Sequence, residues 1–176
     1  MNGPTLLDHC ARIEDHIQRN YRIRVLTIDV PDPLTGDLDG AEIDIDYALD
    51  PEQRLFLLGH LFGHTVQWNV NPQAFELGQI HEPPVDEKLM PAILEYEREA
   101  AAFGLALFHE ANVNHLDQWF SDYTTCDMSY LAHFYRTGEK RSFLTFWKDG
   151  TPLIEPRPIP PFTPEQRVFR HTGIVI

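Results

Sequence analysis

Hydrophobic side chains recur at intervals of three and four residues along most of this chain, which is the spacing of amphipathic helices. Thr5 and Asp8 form a capping box at one predicted helix start. A second helix start is predicted at residue 50. The capping position there carries an acid, Asp50, which is followed by a first-turn proline, Pro51, and by Gln53 at the capping-box position. The predicted helices span residues 5–20, 50–68, 88–111 and 114–137, the last as one or two helices, with one further helical turn in the loop 71–88.

Alternation of polar and apolar residues predicts strands at 22–29, 41–47 and 142–148. The segment 41–47 is the clearest, with Ile43 and Ile45 on one face and Asp44 and Asp46 on the other. A solvated acidic row of this kind is typical of an edge strand, and such an edge could also pair with a peptide. We therefore take these four residues as candidate peptide-binding positions.

The order of these segments predicts a helix-rich α+β fold with a small antiparallel or mixed sheet. Residues 1–150 are expected to form a single domain, with a turn-rich loop at 30–40. Residues 151–176 begin with a stretch that carries six prolines. This composition favours an extended C-terminal arm that packs on its own domain.

Composition limits the partners that the chain is expected to have. The net charge of −13 argues against nucleic acid, because phosphate contacts need clustered lysine and arginine, and it disfavours a membrane surface for the same reason. No membrane-spanning run and no secretory signal are predicted. Cys10 and Cys126 lack a paired spacing and are expected to be reduced thiols, so we predict a cytoplasmic protein.

Two histidines, His60 and His64, lie one turn apart between two apolar stripes of the helix 50–68. Residues at this spacing share one face, so both imidazoles can reach a single tetrahedral metal ion. Two core histidines that satisfy each other by hydrogen bonds would give the same pattern. The pair alone leaves both interpretations open.

A metal site needs a third ligand, and the helix 88–111 offers one in Glu97. Glu97 shares its face with apolar residues, whereas Glu95 and Glu99 fall on the solvent side. A carboxylate on an apolar face requires a compensating partner, which is either a metal ion or a structural ion pair. The small residues Ala100 and Gly104 would let the two helices pack closely enough to bring Glu97 to the histidine pair.

Three consecutive elements resemble the ImmA/IrrE family of zinc metallopeptidases, a gluzincin-like group: DGAEIDIDYALDPEQRLFLLGH, HLFGH and EREAAAFGLAL. The resemblance covers roughly residues 39–107. It implies a zincin-like fold and a zinc ion held by His60, His64 and Glu97. It also implies a peptide laid along the strand 41–47.

Leu61 departs from the family motif, because the metal helix of these enzymes carries a glutamate directly after its first histidine. That glutamate takes a proton from the zinc-bound water, which leucine cannot do. The conceivable substitutes in this sequence are four: Asp44, Asp46, His81 and Glu82.

Three hypotheses follow from these residues. The first is a zinc-binding, metallopeptidase-like domain with weak or no peptidase activity, a pseudoenzyme that binds a protein or peptide or has a regulatory role. The second is an active zinc endopeptidase with a non-standard general base. The third is a metal-free interaction scaffold in which the two histidines and Glu97 satisfy one another.

Overall fold

A computed structural model describes residues 3–79 and 82–168 of the protein. The fold is α+β, as predicted, and combines helices with a small mixed sheet. The helices are α1 (Leu6–His16), α2 (Pro51–Val70), α3 (Pro72–Leu77), α4 (Met90–Glu110) and α5 (Asp117–Thr137). The strands are β1 (Arg24–Ile28), β2 (Gly36–Leu38) and β3 (Glu42–Asp46). Ile17–Tyr21 continues α1 as a π-helix, and short 3₁₀ turns occupy Glu87–Leu89 and Phe143–Phe146.

Both predicted helix starts are confirmed by their capping hydrogen bonds. The Thr5 hydroxyl accepts from the Asp8 amide at 3.2 Å, and the Thr5 amide donates to the Asp8 carboxylate at 2.7 Å. The Asp50 carboxylate accepts from the Gln53 amide at 2.9 Å, and the Gln53 side chain accepts in return at 3.3 Å. These caps fix where α1 and α2 begin.

The sheet has the order β1-β3-β2, with β1 parallel and β2 antiparallel to β3. The prediction of an edge strand at 41–47 was therefore wrong, because β3 is the middle strand. Ile43 pairs with Val25 on one side and with Leu38 on the other. Alternation reports which face of a strand is buried, and it does not report whether the strand has one neighbour or two.

This correction removes the candidate peptide-binding role of the backbone of Ile43, Asp44, Ile45 and Asp46. Both edges of β3 are already occupied along these residues, so an added strand would have to pair with β1 or β2 instead. The predicted loop 30–40 contains β2, which is the strand that covers the expected edge.

The predicted strand 142–148 is also wrong, since its centre is the 3₁₀ turn Phe143–Phe146. The apolar residues of this segment pack on α5 instead of pairing with the sheet, as shown by the ring contacts of Phe143 and Phe146 with Tyr130. Packing on a helix face needs no strand geometry, so apolar alternation was misleading here.

The helix α2 lies at the centre of the molecule, and every residue from Leu55 to Trp68 is buried. It packs against α4, α1 and the inner face of the sheet, where Ile43 and Ile45 are fully buried. A second, smaller apolar cluster joins the start of α4 to the C-terminal half of α5. The central position of α2 explains why it is apolar on both flanks.

The described part of the C-terminal arm, residues 151–168, has no helix or strand. It packs on the domain as predicted, with Ile154, Ile159 and Phe162 against the main core. Residues 169–176 of the predicted arm lie outside the described residues.

Cys10 and Cys126 are both buried and free. Across 3–79 and 82–168, we found no helix with the length and hydropathy required to span a bilayer.

Candidate metal centre

The α2 and α4 backbones approach closely at two glycines, which brings the predicted ligands together. A Cβ atom added at Gly63 would lie 2.0 Å from the Ala100 carbonyl oxygen, and one at Gly104 would lie 2.6 Å from the Gly59 carbonyl oxygen. Neither site tolerates a side chain without moving backbone. The close approach that the small residues predicted is confirmed.

The three predicted ligands converge across this contact. His64 Nε2 lies 3.2 Å from His60 Nε2 and 3.2 Å from the Glu97 carboxylate oxygen Oε2, which is 3.7 Å from His60 Nε2. His60, His64 and Glu97 are only 2%, 5% and 6% exposed. Two imidazole nitrogens and one carboxylate oxygen therefore form a buried triangle that can hold a metal ion.

The dimensions of this triangle fit a small tetrahedral ion. With metal–ligand bonds of about 2.0–2.1 Å, two ligands of a tetrahedron are about 3.3–3.4 Å apart. The three measured separations of 3.2, 3.2 and 3.7 Å bracket that value. The nitrogen and oxygen donor atoms, and the distances between them, are consequently those expected for a tetrahedral zinc ion.

Gln67 fixes the orientation of the His64 ring. Its side-chain nitrogen donates to the Tyr96 carbonyl at 2.9 Å and to the Glu99 carboxylate at 2.8 Å. Its amide oxygen therefore faces His64 Nδ1, at 2.9 Å, and accepts a hydrogen bond from the N–H of that nitrogen. In the tautomer that this hydrogen bond selects, the lone pair is on Nε2, which is the atom directed at His60 and Glu97.

Burial keeps His60 in its neutral, metal-binding form. Desolvation, aided by the charge of His64 and opposed by Glu97, lowers the pKa of His60 to about 3. Aromatic rings hold both imidazoles in place: Phe56 stacks on His60 at 5.5 Å between ring centroids, and Tyr96 stacks on His64 at 4.4 Å. A neutral imidazole is the form of histidine that binds a divalent ion.

A second buried acid, Asp127 on α5, acts electrostatically on Glu97. Burial and the charge of Glu97 raise the pKa of Asp127 well above its ordinary value. Burial raises the pKa of Tyr135 as well, with the charges of Glu97, Tyr96 and Asp127 contributing. Both shifts favour the protonated, uncharged forms of Asp127 and Tyr135 in this buried region.

Leu61, which follows His60 directly on α2, belongs to the apolar core. It is 4% exposed, and with Leu57 it lies against Gly36 of β2. A carboxylate at position 61 would be buried in that apolar contact. Position 61 is therefore part of an apolar contact and offers no proton acceptor next to His60.

Three of the residues that were predicted as conceivable general bases, Asp44, Asp46 and Glu82, do not lie beside the buried histidines. Asp44 and Asp46 lie on the sheet face opposite to the core-facing Ile43 and Ile45. Asp46 accepts hydrogen bonds from the Val30 and Ala48 amides, which is a structural role. Glu82 is exposed, and His81 lies outside the described residues.

Reasoning from the sequence missed Gln67, Tyr96 and Asp127. Gln67 falls on the same arc of α2 as the two histidines, so a polar residue on a buried helix was an available signal. Tyr96 and Asp127 come from α4 and α5, and their roles depend on how those helices dock against α2. Glu99, predicted to face solvent, is half-buried and holds Gln67.

Comparisons of the chain with protein-family models, with curated proteins and with solved structures found no match. A buried His-His-Glu donor set that can hold a metal ion is what the residues and their geometry establish.

Proposed function

We propose that the protein is a zinc-binding, metallopeptidase-like domain of zincin-like fold with little or no peptidase activity. It acts in the cytoplasm by binding a protein or peptide or through a regulatory role. The observation that carries the proposal is the convergence of His60, His64 and Glu97, with donor atoms 3.2–3.7 Å apart on two closely packed helices.

The donor set favours zinc over other ions. Two imidazole nitrogens and one carboxylate oxygen are a common zinc ligand set, and calcium and magnesium prefer oxygen ligands alone. A zinc ion with three protein ligands keeps a fourth position and acts as a Lewis acid there. His60, His64 and Glu97 would hold the ion, and Gln67 would keep His64 oriented towards it.

Two observations support weak or absent peptidase activity. Leucine at position 61 removes a proton acceptor of a kind that is typically worth about 10²–10⁴-fold in rate. The three ligands are also more than nine-tenths buried, which restricts the approach of a peptide bond to the metal. We therefore assign the zinc mainly to holding α2 against α4.

A polypeptide partner is supported by the edges of the sheet. β1 and β2 each pair with β3 on one side, and no further strand pairs with either among residues 3–79 and 82–168. A strand with a free edge can accept an extended segment by backbone hydrogen bonds. The acidic surface expected from the net charge of −13 would favour a basic segment.

Elemental analysis of the protein purified without added metal tests the proposal. We expect about one zinc per chain in the wild type, and a loss of most of it in His60→Ala, His64→Ala and Glu97→Ala. His133→Ala, a half-buried histidine of α5 distant from the triad in sequence, is the matched control and should keep its zinc.

Zinc that persists in all three ligand variants would overturn the assignment of ligands. A wild-type protein without zinc, whose melting temperature does not rise when zinc is added, would indicate a metal-free scaffold. The reason is that a ligand that binds only the folded state must stabilise it.

A further inference from the structure

A pocket of about 600 Å³ lies beside the metal centre, between the N-terminal half of α2, the middle of α5 and the turn Phe143–Phe146. We call it the acidic pocket. Phe56 separates it from the triad, because this ring stacks on His60 and also lines the pocket. Its volume is in the range of sites that bind small ligands or single side chains.

The floor of the acidic pocket carries a buried carboxylate that needs a partner. Asp127 lines the pocket, and the residue is 1% exposed. Its oxygen Oδ1 has no hydrogen-bond partner among the residues that the structure describes. A buried acceptor without a partner is costly, so a donor that enters the pocket would gain by reaching Asp127.

The walls of the acidic pocket are aromatic. Tyr123 is at their centre, with ring centroids 4.1 Å from Phe56, 5.2 Å from Phe143 and 5.9 Å from Trp147. Ring faces attract organic cations and also pack against hydrocarbon chains. The walls therefore suit a ligand that has both an aliphatic part and a positive charge.

Charge at the mouth of the pocket is also mainly negative. Asp50 and Glu52 are exposed there, opposed by the exposed Arg141. Burial raises the pKa of Tyr123, and the charges of Asp127, Glu52 and Asp50 add to the effect. Asp50 and Glu52 would therefore attract a cation to the mouth of the pocket, and a cation that reaches the buried Asp127 favours the ionised form of this acid.

Other ligand classes fit less well. An anion would be repelled by Asp50 and Glu52, and a neutral apolar group would leave the Asp127 oxygen without a partner. A bare metal ion could use Asp127 but would gain little from the aromatic walls. A basic side chain satisfies both features, since its aliphatic stem is long and its charge lies at the tip.

We propose that the acidic pocket binds a lysine or arginine side chain of a partner polypeptide, with the stem along Tyr123 and Phe56 and the charged end on Asp127. The inference rests on the proposed function only for the partner being a polypeptide. The metal takes no part in it.

Blocked pentapeptides with a central lysine, arginine or norleucine between glycines are suitable probes. Binding is followed by the indole N–H signal of Trp147 in nitrogen–proton correlation spectra, because this group lies at the pocket and donates to Asp149. We expect the lysine or arginine peptide to shift the Trp147 signal in a saturable way. The norleucine peptide should bind at least about tenfold more weakly, as expected for losing a charged hydrogen bond.

Asp127→Asn should lower the affinity for the basic peptides about tenfold or more, and Asp117→Asn on the same helix, outside the pocket, should not. A second variant avoids the buried site: Arg141→Gln removes the opposing charge at the mouth and should raise the affinity several-fold. Equal binding of the norleucine peptide, or basic-peptide affinities unchanged in both pocket variants, would overturn the proposal.

Zinc content measured in the same samples separates the two proposals. Protein that lacks zinc but binds the basic peptides would refute the metal centre and leave the acidic pocket standing. Protein that holds zinc at His60, His64 and Glu97 but does not distinguish lysine or arginine from norleucine would refute the acidic pocket and leave the metal centre standing.

Discussion

The Nε2 atom of His64 can serve as a metal ligand because Gln67 holds the proton on the opposite nitrogen. The Gln67 side chain is in turn fixed by Glu99 and by the Tyr96 carbonyl. Partners of this kind set the ring orientation and raise the basicity of a ligating histidine. The zinc affinity of the proposed site thus depends on Gln67, which is not one of the three candidate ligands.

Gln67→Leu tests this dependence with little change in volume. We expect zinc affinity to fall roughly 10–100-fold, because His64 loses its orienting acceptor. Competition with a chelator of known zinc affinity measures the change. Gln73→Leu on the exposed side of α3 is the control and should bind zinc like the wild type. Equal affinities in the two variants would show that Gln67 does not support the ligand.

Asp44 makes the folding stability of the protein depend on pH. Burial, followed by the charges of Glu42, Asp37 and Asp39, raises the pKa of Asp44 to about 6, although Arg24 opposes the shift. The folded state therefore holds this proton more tightly than the unfolded state. Stability from this group is full below about pH 4 and is lost as the pH rises to about 6.

Asp44→Asn should therefore stabilise the protein at pH 7.5, by about 1 kcal/mol, since the half-buried side chain is partly screened by solvent. The gain should shrink towards zero at pH 4. Urea denaturation at the two pH values measures it, and Asp29→Asn, at an exposed position, serves as the control. A variant less stable than the wild type at pH 7.5 would contradict the expected sign.

At the scale of elements, the contact between α2 and α4 brings the three candidate metal ligands together. Gly63 permits this contact, because an added Cβ would meet the Ala100 carbonyl oxygen at 2.0 Å. Alanine normally stabilises a helix relative to glycine by up to about 1 kcal/mol. Here the steric conflict with backbone outweighs that gain, since overpacking typically costs about 1–3 kcal/mol.

Gly63→Ala should accordingly lower the free energy of unfolding by about 1–3 kcal/mol and weaken zinc binding, because α4 must move and Glu97 moves with it. Urea denaturation and zinc titration measure the two effects. Ser129→Ala, an exposed position on α5, should change neither. A Gly63→Ala protein as stable as the wild type and equally able to bind zinc would show that the helices do not need this close approach.

The sequence predicts those elements and site residues that depend on local pattern. Capping residues located the start of α2, helical periodicity located α4, and the wheel position of Glu97 among apolar residues identified the third candidate ligand. The middle position of β3 was not predictable, because the short strand β2 lies in a loop rich in turn residues. Gln67 and Asp127 could not be assigned roles, since these arise only when separate helices dock.

At the scale of the whole molecule, the C-terminal arm is connected to the candidate metal centre by hydrogen bonds. The Arg157 guanidinium donates a hydrogen bond to the Glu99 carboxylate. Glu99 also accepts a hydrogen bond from the Gln67 side chain, and Gln67 in turn accepts one from His64. The Arg157 amide also donates to the Ala102 carbonyl of α4 at 3.1 Å. The arm thus connects through three successive hydrogen-bonded contacts to a ligand in the core. We infer that its packing contributes to the rigidity of the site.

X-ray absorption spectroscopy at the zinc edge of the zinc-loaded protein tests the central claim most directly. Ligation by His60, His64 and Glu97 predicts nitrogen and oxygen neighbours at about 2.0–2.1 Å, with the outer-shell scattering of two imidazole rings. Sulfur at about 2.3 Å, which would indicate ligation by Cys10 or Cys126, would contradict this ligand set. A protein that takes up no zinc at all would contradict it as well.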